Sequence, residues 1–356
     1  MDFQLWNPTS YYGDLKNYSF PCDKEFSDLL LFLRGIKSNK KCHLTDVNYW
    51  DMKYPPTGYD IYIICAFGEF VNEDFLNKIE QDTYFEDKLV VLITSQYWET
   101  NKFNLIKVFH LEHLQTITRF FDPTESKNII ERSHCHGILS RRTAIHKSYT
   151  LVNLLDRFLK DVQYTFCNAP EQEYSLQTLN QDLNLYYPGL DLTDNQLNIL
   201  TYLHDNPTMV DGHQWSIDNY VYAESQLIWT PESIFLSREN APTAYLTEKT
   251  FKAIVSRSPF IIIGQKHSYA RLTSLGFMDY TDEFNIQFDD LSDLDRFAGL
   301  IELMDTFDFS SFLTSSKAQE IADYNYHYFF NNFVTYVNKQ NEKKIEQILE
   351  FINDQT

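Results

Sequence analysis

Glycine is scarce in this chain, with 10 residues among 356, and no Gly-x-Gly-x-x-Gly, Walker-type loop or Gly-x-Ser-x-Gly occurs in it. The glycine-built phosphate cradles and the hydrolase nucleophile elbow are therefore missing as motifs. Cysteine is sparse as well. Cys22, Cys42, Cys65, Cys135 and Cys167 are odd in number, widely spaced and free of any Cys-x-x-Cys pair, which argues against a disulfide framework or a zinc ribbon. Apolar runs such as 89–93 and 260–263 fall far below the roughly 20 residues that span a bilayer. The start, Met1-Asp2-Phe3, has no basic segment leading into an apolar one and does not read as a signal peptide. These shortages predict a chain without a membrane span, in a reducing, cytoplasmic compartment. Positive charge is the last of them, 30 Lys and Arg against 50 Asp and Glu, for a formal net charge of −20. Nonspecific nucleic-acid affinity comes from cations neutralising phosphates, so broad binding to a polyanion is not expected, while a local basic groove stays open.

What the chain has instead is apolar and aromatic mass: 43% hydrophobic residues, with 28 Phe and 24 Tyr. That fills one large or two ordinary cores, and two domains are the better reading. A helix is expected over 24–36. Strands over 59–67, 88–94 and 105–109 alternate with helices over 72–81 and up to about Phe121, a pattern that predicts a parallel, three-layer α/β domain. Farther on, the spacing predicts a strand or linker over 133–140, a helix over 146–159 and a strand over 162–168. Helices near 175–184 and 194–203 follow, then a β-prone alternation over 219–229. Helices over 268–275 and 293–306 lead to a long amphipathic helix over 316–352, with a break expected near 339–342.

The clearest instruction lies in residues 245–264. Thr247 is placed to cap a helix whose apolar face is Phe251, Ile254 and Val255, and Pro259 stops that helix because it disfavours helical backbone at Ser258. Phe260 to Ile263 then read as a buried strand ended by Gly264. Helix, tight link and strand make half of a parallel α/β unit, in which ligands sit beyond the carboxyl ends of the strands. Glu248 and Lys249 fall at the helix's amino end, where unpaired N–H groups and the dipole favour a phosphate and Lys249 adds a point charge. Glu248 is an acceptor suited to a sugar or ribose hydroxyl. The plain alternative is an ordinary first-turn acid beside a solvated lysine.

Tyr245-Leu-Thr-Glu-Lys249, its helix and the Pro259-Phe-Ile-Ile-Ile-Gly264 strand together resemble the donor-binding motif of fucosyltransferase-type GT-B glycosyltransferases. They also resemble glycosyltransferase-like proteins of large bacteriophages. Upstream, Trp229-Thr-Pro-Glu-Ser233 is similar to the fucosyltransferase aromatic-Glu-Asn-Ser segment. Leu275-Gly276-Phe277 with Asp295-Arg296, and Leu139-Ser-Arg-Arg-Thr-Ala-Ile-His-Lys147, match the phage-type pattern. The resemblance covers about 139–299 and departs from the fucosyltransferases at Ser233-Ile234 and in the long stretch between Glu232 and Tyr245. It implies two Rossmann-like α/β domains in a GT-B arrangement. Their expected extents are an acceptor-side domain over 1–140 and a nucleotide-sugar domain over 141–315, with a terminal helix over 316–356 packing back across both. It also implies a nucleotide diphosphate sugar as donor, no cofactor and, for a phage protein, a host cytoplasm.

Transfer of a sugar needs a base for the acceptor proton and positive groups for the leaving diphosphate. Lys249 and the pair Arg141 and Arg142, just before a helix, meet the second need; a solvated arginine pair is the plain alternative. Donor binding is thus assigned to Arg141, Arg142, Glu232, Tyr245, Thr247, Glu248 and Lys249. Glu69, after the first core strand, is the base candidate by position. Three metal-like clusters read better otherwise. His134-Cys135-His136 point alternately if a strand, His110 and His113 lack further ligands, and in Asp293-Leu-Asp295 the first aspartate reads as a helix cap. The expected function is an inverting, metal-independent glycosyltransferase acting on a glycan, a protein or a hydroxymethylated DNA base. The alternative is a noncatalytic structural or sugar-binding protein of the same fold.

Overall fold

The structure, a computed structural model, describes residues 2–5, 40–46, 57–66, 73–94, 105–109, 128–140, 144–166, 181, 183–185, 188–190, 192–208, 220–233, 235 and 244–353. It is a mixed α/β chain with two parallel sheets. The chain divides into two compact units, one formed by 1–119, 238–248 and 331–356 and the other by 120–237 and 249–330.

The first unit holds a five-stranded sheet in the order β1-β2-β3-β4-β5. Its strands are Asp2–Leu5 (β1), Lys41–Asp46 (β2), Ile61–Ala66 (β3), Leu89–Thr94 (β4) and Leu105–Phe109 (β5), every pair parallel. Strands buried on both faces read as continuous apolar runs, as Ile61-Tyr-Ile-Ile and Leu89-Val-Val-Leu do. Tyr62, Ile64, Val90 and Leu92 pack with Ile79 of helix α1 (Glu73–Gln81) and Phe85 in one cluster. Helix α10 (Val334–Asn353) packs on β5.

The second unit carries the four-stranded order β7-β6-β8-β9, from β6 (His134–Ser140), β7 (Val162–Phe166), β8 (Ser225–Pro231) and β9 (Phe260–Ile263). All three pairings are parallel. Helix α2 (Ile145–Phe158) joins β6 to β7, and α3 (Asp194–Asp205) packs on α2. A capping box starts α3, the Thr193 hydroxyl taking the Gln196 N–H while Gln196 takes that of Thr193. Helix α5 (Glu248–Val255) leads into β9, which α6 (Ser268–Ser274), α7 (Asp293–Thr306), α8 (Phe309–Leu313) and α9 (Ser316–Tyr328) follow.

Three expectations need correcting. The β-prone stretch 219–229 begins as a short helix, α4 (Tyr220–Glu224), because Val221 and Tyr222 are both buried there and only Ser225 onward pairs with β6. The closing helix is interrupted by a π turn over Phe329–Phe333 rather than near 339–342. One residue added to the turn re-phases the apolar stripe, so that Phe329, Phe333 and Val337 are all fully buried. Ser292, not Asp293, caps α7, its hydroxyl oxygen accepting the Asp295 N–H. The helices expected over 24–36 and up to Phe121 lie outside the described residues, and no described helix is long and apolar enough to cross a membrane.

Candidate functional site

In the second unit the chain runs from β6 out to β7, then returns past β6 to β8 and β9, so the strand order reverses between β6 and β8. Open parallel sheets take ligands in the crevice outside the carboxyl ends of strands flanking such a reversal. Ile138 of β6 lies opposite Trp229 of β8, so two residues on, Ser140 and Pro231 end the two strands at one level. Glu232 and Ser233 follow Pro231; Arg141 and Arg142 follow Ser140.

Glu232 is fully buried. Its N–H donates to the Ile263 carbonyl at 2.9 Å, which carries the β8–β9 pairing one step past the strand. Its carboxylate accepts the Thr250 hydroxyl at 2.5 Å, a bond that fixes the first turn of α5 to the end of β8. Lys249, on the same turn and half-buried, brings its ammonium within 3.4 Å of the Ser233 hydroxyl. Glu248 is half-buried beside it, and Tyr245 and Thr247 are buried just before the helix. Gly264 ends β9 for a steric reason: a Cβ there would lie 2.6 Å from Ser268 Oγ. The neighbouring N–H groups at the start of α5 have no intrahelical partners by construction, so this corner combines donors, a cation and a held carboxylate.

The Glu232 carbonyl accepts from His146 Nε2 at 2.8 Å, and because a carbonyl only accepts, that nitrogen carries the proton. Burial holds the His146 pKa down to about 3, with Lys147 and Lys249 acting in the same direction and the bond to Glu232 opposing them. The ring is neutral at pH 7. It stacks on Phe235 at 5.6 Å, and Phe235 stacks on Phe297 at 4.1 Å. The Arg296 guanidinium lies 4.6 Å from the Phe235 ring centre and donates to the Phe235 carbonyl at 2.6 Å, to that of Gly264 at 3.3 Å and to that of Leu291 at 3.1 Å. Asp293 neutralises it at 2.8 Å.

The structure thus brings Glu232 and Lys249 together through Thr250. Arg141, Arg142, Glu69, His110 and His113 lie outside the described residues. Sequence reading missed Thr250, Phe235 and His146 as parts of this corner. Thr250 carried a faint signal, a hydroxyl one helical turn after Thr247, and His146 lay inside the 139–147 segment without being singled out, whereas Phe235 carried none.

Among the described residues no group of three His, Cys, Asp or Glu is arranged to hold a metal ion. His136 is buried and packs against Phe158 at 4.4 Å and Phe309 at 5.0 Å, its Nδ1 accepting the Trp229 indole N–H at 3.2 Å. Burial lowers its pKa to about 4 and raises that of Cys135 to about 11. Both side chains are neutral at pH 7. Asp293 and Asp295 sit in the first turn of α7, where Asp293 serves Arg296.

No family model matches the chain, and no curated protein matches it in sequence. Among solved structures, the crystal structure of a glycosyltransferase from Rickettsia africae ESF-5 is similar at 11% identity with a TM-score of 0.45, over 94% of this chain and 83% of that one.

Proposed function

We propose that the protein is a glycosyltransferase that takes a nucleoside diphosphate sugar at the carboxyl ends of β6 and β8. The observation that carries this reading is the Thr250–Glu232 bond beside the strand-order reversal, which fixes Lys249 at the corner where such sheets receive ligands. Lys249 and the first-turn N–H groups of α5 bind the diphosphate, joined by Arg141 and Arg142, and Glu248 accepts from a ribose or sugar hydroxyl. Glu232 orients the turn, and the buried backbone of Tyr245 and Thr247 leads the chain into it. Transfer proceeds with inversion. The acceptor oxygen bonds to the anomeric carbon from the face opposite the leaving group, the bond to the diphosphate oxygen breaks, and Glu69 takes the acceptor proton. The cations, rather than a metal ion, carry the charge that develops on the diphosphate. Acceptors of the matching class are glycan, protein or hydroxymethylated DNA hydroxyls, met in a cytoplasm.

A panel of guanosine, uridine, thymidine, adenosine and cytidine diphosphate sugars tests this by thermal shift and by slow donor hydrolysis. A bound donor at 100 times its Kd stabilises the native state by about 2.7 kcal/mol. Binding with release of the nucleoside diphosphate is the expected result. Binding without turnover leaves a sugar-nucleotide-binding protein, and no shift with any donor overturns the proposal.

A further inference from the structure

Arg296 does something that neither core packing nor charge balance requires. A guanidinium that is 2% exposed is costly to bury even beside a carboxylate, and an apolar side chain of similar volume often serves stability as well or better. What the fork provides here is reach. Its two amino groups grip carbonyls from three separate segments: Phe235 beyond β8, Gly264 beyond β9 and Leu291 before α7. Its plane lies against the Phe235 ring, whose contacts with His146 and Phe297 fix it further. His146 in turn holds the Glu232 carbonyl.

We infer that Arg296 is a positioning residue, a clamp that sets Phe235 and Glu232 and, through Thr250, the first turn of α5. That it serves donor binding rests on the function proposed above. Lysine does not replace it. An ammonium is a single point charge on a flexible stem and lacks the planar fork that reaches several carbonyls at once. The two ends of the β8–β9 pairing supply an internal control: the Glu232 N–H bonds the Ile263 carbonyl near Arg296, and the Ile228 N–H, in mid-β8, bonds the Pro259 carbonyl where β9 begins.

The test is amide hydrogen exchange on the full chain bearing Arg296→Lys, read at Glu232 and at Ile228. The clamp predicts that exchange at Glu232 quickens by roughly tenfold or more while Ile228 keeps the parent's protection, the pattern of local rather than global opening. Equal quickening at both ends makes Arg296 an ordinary stabilising residue and overturns the inference, as does no change at either. Phe235→Leu, which removes the ring and keeps an apolar side chain, reproduces the local pattern if the lysine variant folds poorly. The donor readout is separate. With whichever nucleoside diphosphate sugar of the panel above binds the parent, Arg296→Lys weakens binding by about tenfold at an unchanged Ile228 exchange rate. A parent that binds none of the five withdraws the donor assignment, while the exchange result still decides the clamp.

Discussion

Two buried arginines hold opposite ends of the second sheet. Arg132, just before β6, donates to the Ser225 carbonyl at the start of β8 at 2.9 Å, to Ser258 Oγ at 2.5 Å and to the Ser256 carbonyl past the end of α5 at 2.5 Å. Arg296, at the carboxyl ends, serves the carbonyls that leave β8 and β9. The chemistry is the same, a planar fork satisfying main-chain oxygens that helices and strands leave over. The partners differ. Those of Arg132 belong to ends of regular elements on the side of the sheet opposite the carboxyl ends of the strands, and burial lowers its pKa to about 10 against the pull of Glu224. Those of Arg296 belong to the segments that carry Glu232 and Gly264. The same side chain therefore fastens the fold at one end and holds the corner of the proposed site at the other.

That contrast is broken most directly by Arg132→Met, which strands several buried carbonyls and is expected to cost about 3 kcal/mol in urea unfolding. Arg296→Lys keeps the cation and its partner Asp293, so its urea unfolding is expected to stay within about 0.5 kcal/mol of the parent's, with the effect confined to Glu232. If the lysine variant proves the less stable of the two, the division between fastening and positioning fails. Gly264→Ala falls between them at about 2 kcal/mol, since its Cβ meets Ser268 Oγ at 2.6 Å in a packed corner. Ser268→Ala in the same chain restores part of that loss if the clash is the cause.

Acid sharpens the comparison from another side. His136 lies in the aromatic cluster beneath β8 and His146 at its carboxyl end, with pKa values lowered to about 4 and about 3 from an ordinary 6.5. Both are depressed in the folded state, so the unfolded chain takes protons first. Their stabilisation is complete above about pH 6.5 and is lost as pH falls through the window from 6.5 toward 4 and then 3. Melting temperature is therefore expected to drop between pH 7 and pH 5. A profile unchanged over that range contradicts two neutral, buried imidazoles. Trp229→Phe removes the indole donor to His136 and is expected to cost about 1 kcal/mol at pH 7.

How much of this was legible depended on whether the controlling forces were local. The β9 strand, Phe260–Ile263, and its preceding stop at Pro259 follow from burial and backbone sterics within ten residues, and the observed bounds match the expected ones. Helix α7 was bounded correctly over 293–306, but its cap was misassigned, because Ser292 and Asp293 both suit that role and only the backbone decides between them. The start of β8 was misread because the β-prone Tyr220-Val-Tyr run folds as a helix under a tertiary constraint, with the Tyr220 hydroxyl reaching the Tyr164 carbonyl at 3.0 Å. In the candidate site, Lys249 was legible from its place at a helix start and Glu232 only through the resemblance of 229–233 to the fucosyltransferase segment. Their joining through Thr250, and the clamp from Arg296 to Phe235 across 61 positions, depends on strand order, which no local spacing encodes.

The smallest change in stability carries the largest claim. Lys249 is half-buried at the start of α5, so Lys249→Ala is expected to shift the unfolding midpoint by no more than about 0.5 kcal/mol. If its ammonium holds the donor diphosphate, the same change weakens affinity for the bound nucleoside diphosphate sugar by roughly ten- to a hundredfold, the loss of one charge-assisted hydrogen bond. Titration of parent and variant with that donor, beside their urea unfolding curves, measures both quantities on the same protein. A tenfold or greater rise in Kd at an unchanged midpoint is the predicted result, and equal affinity for parent and variant contradicts the donor site at this corner of the sheet.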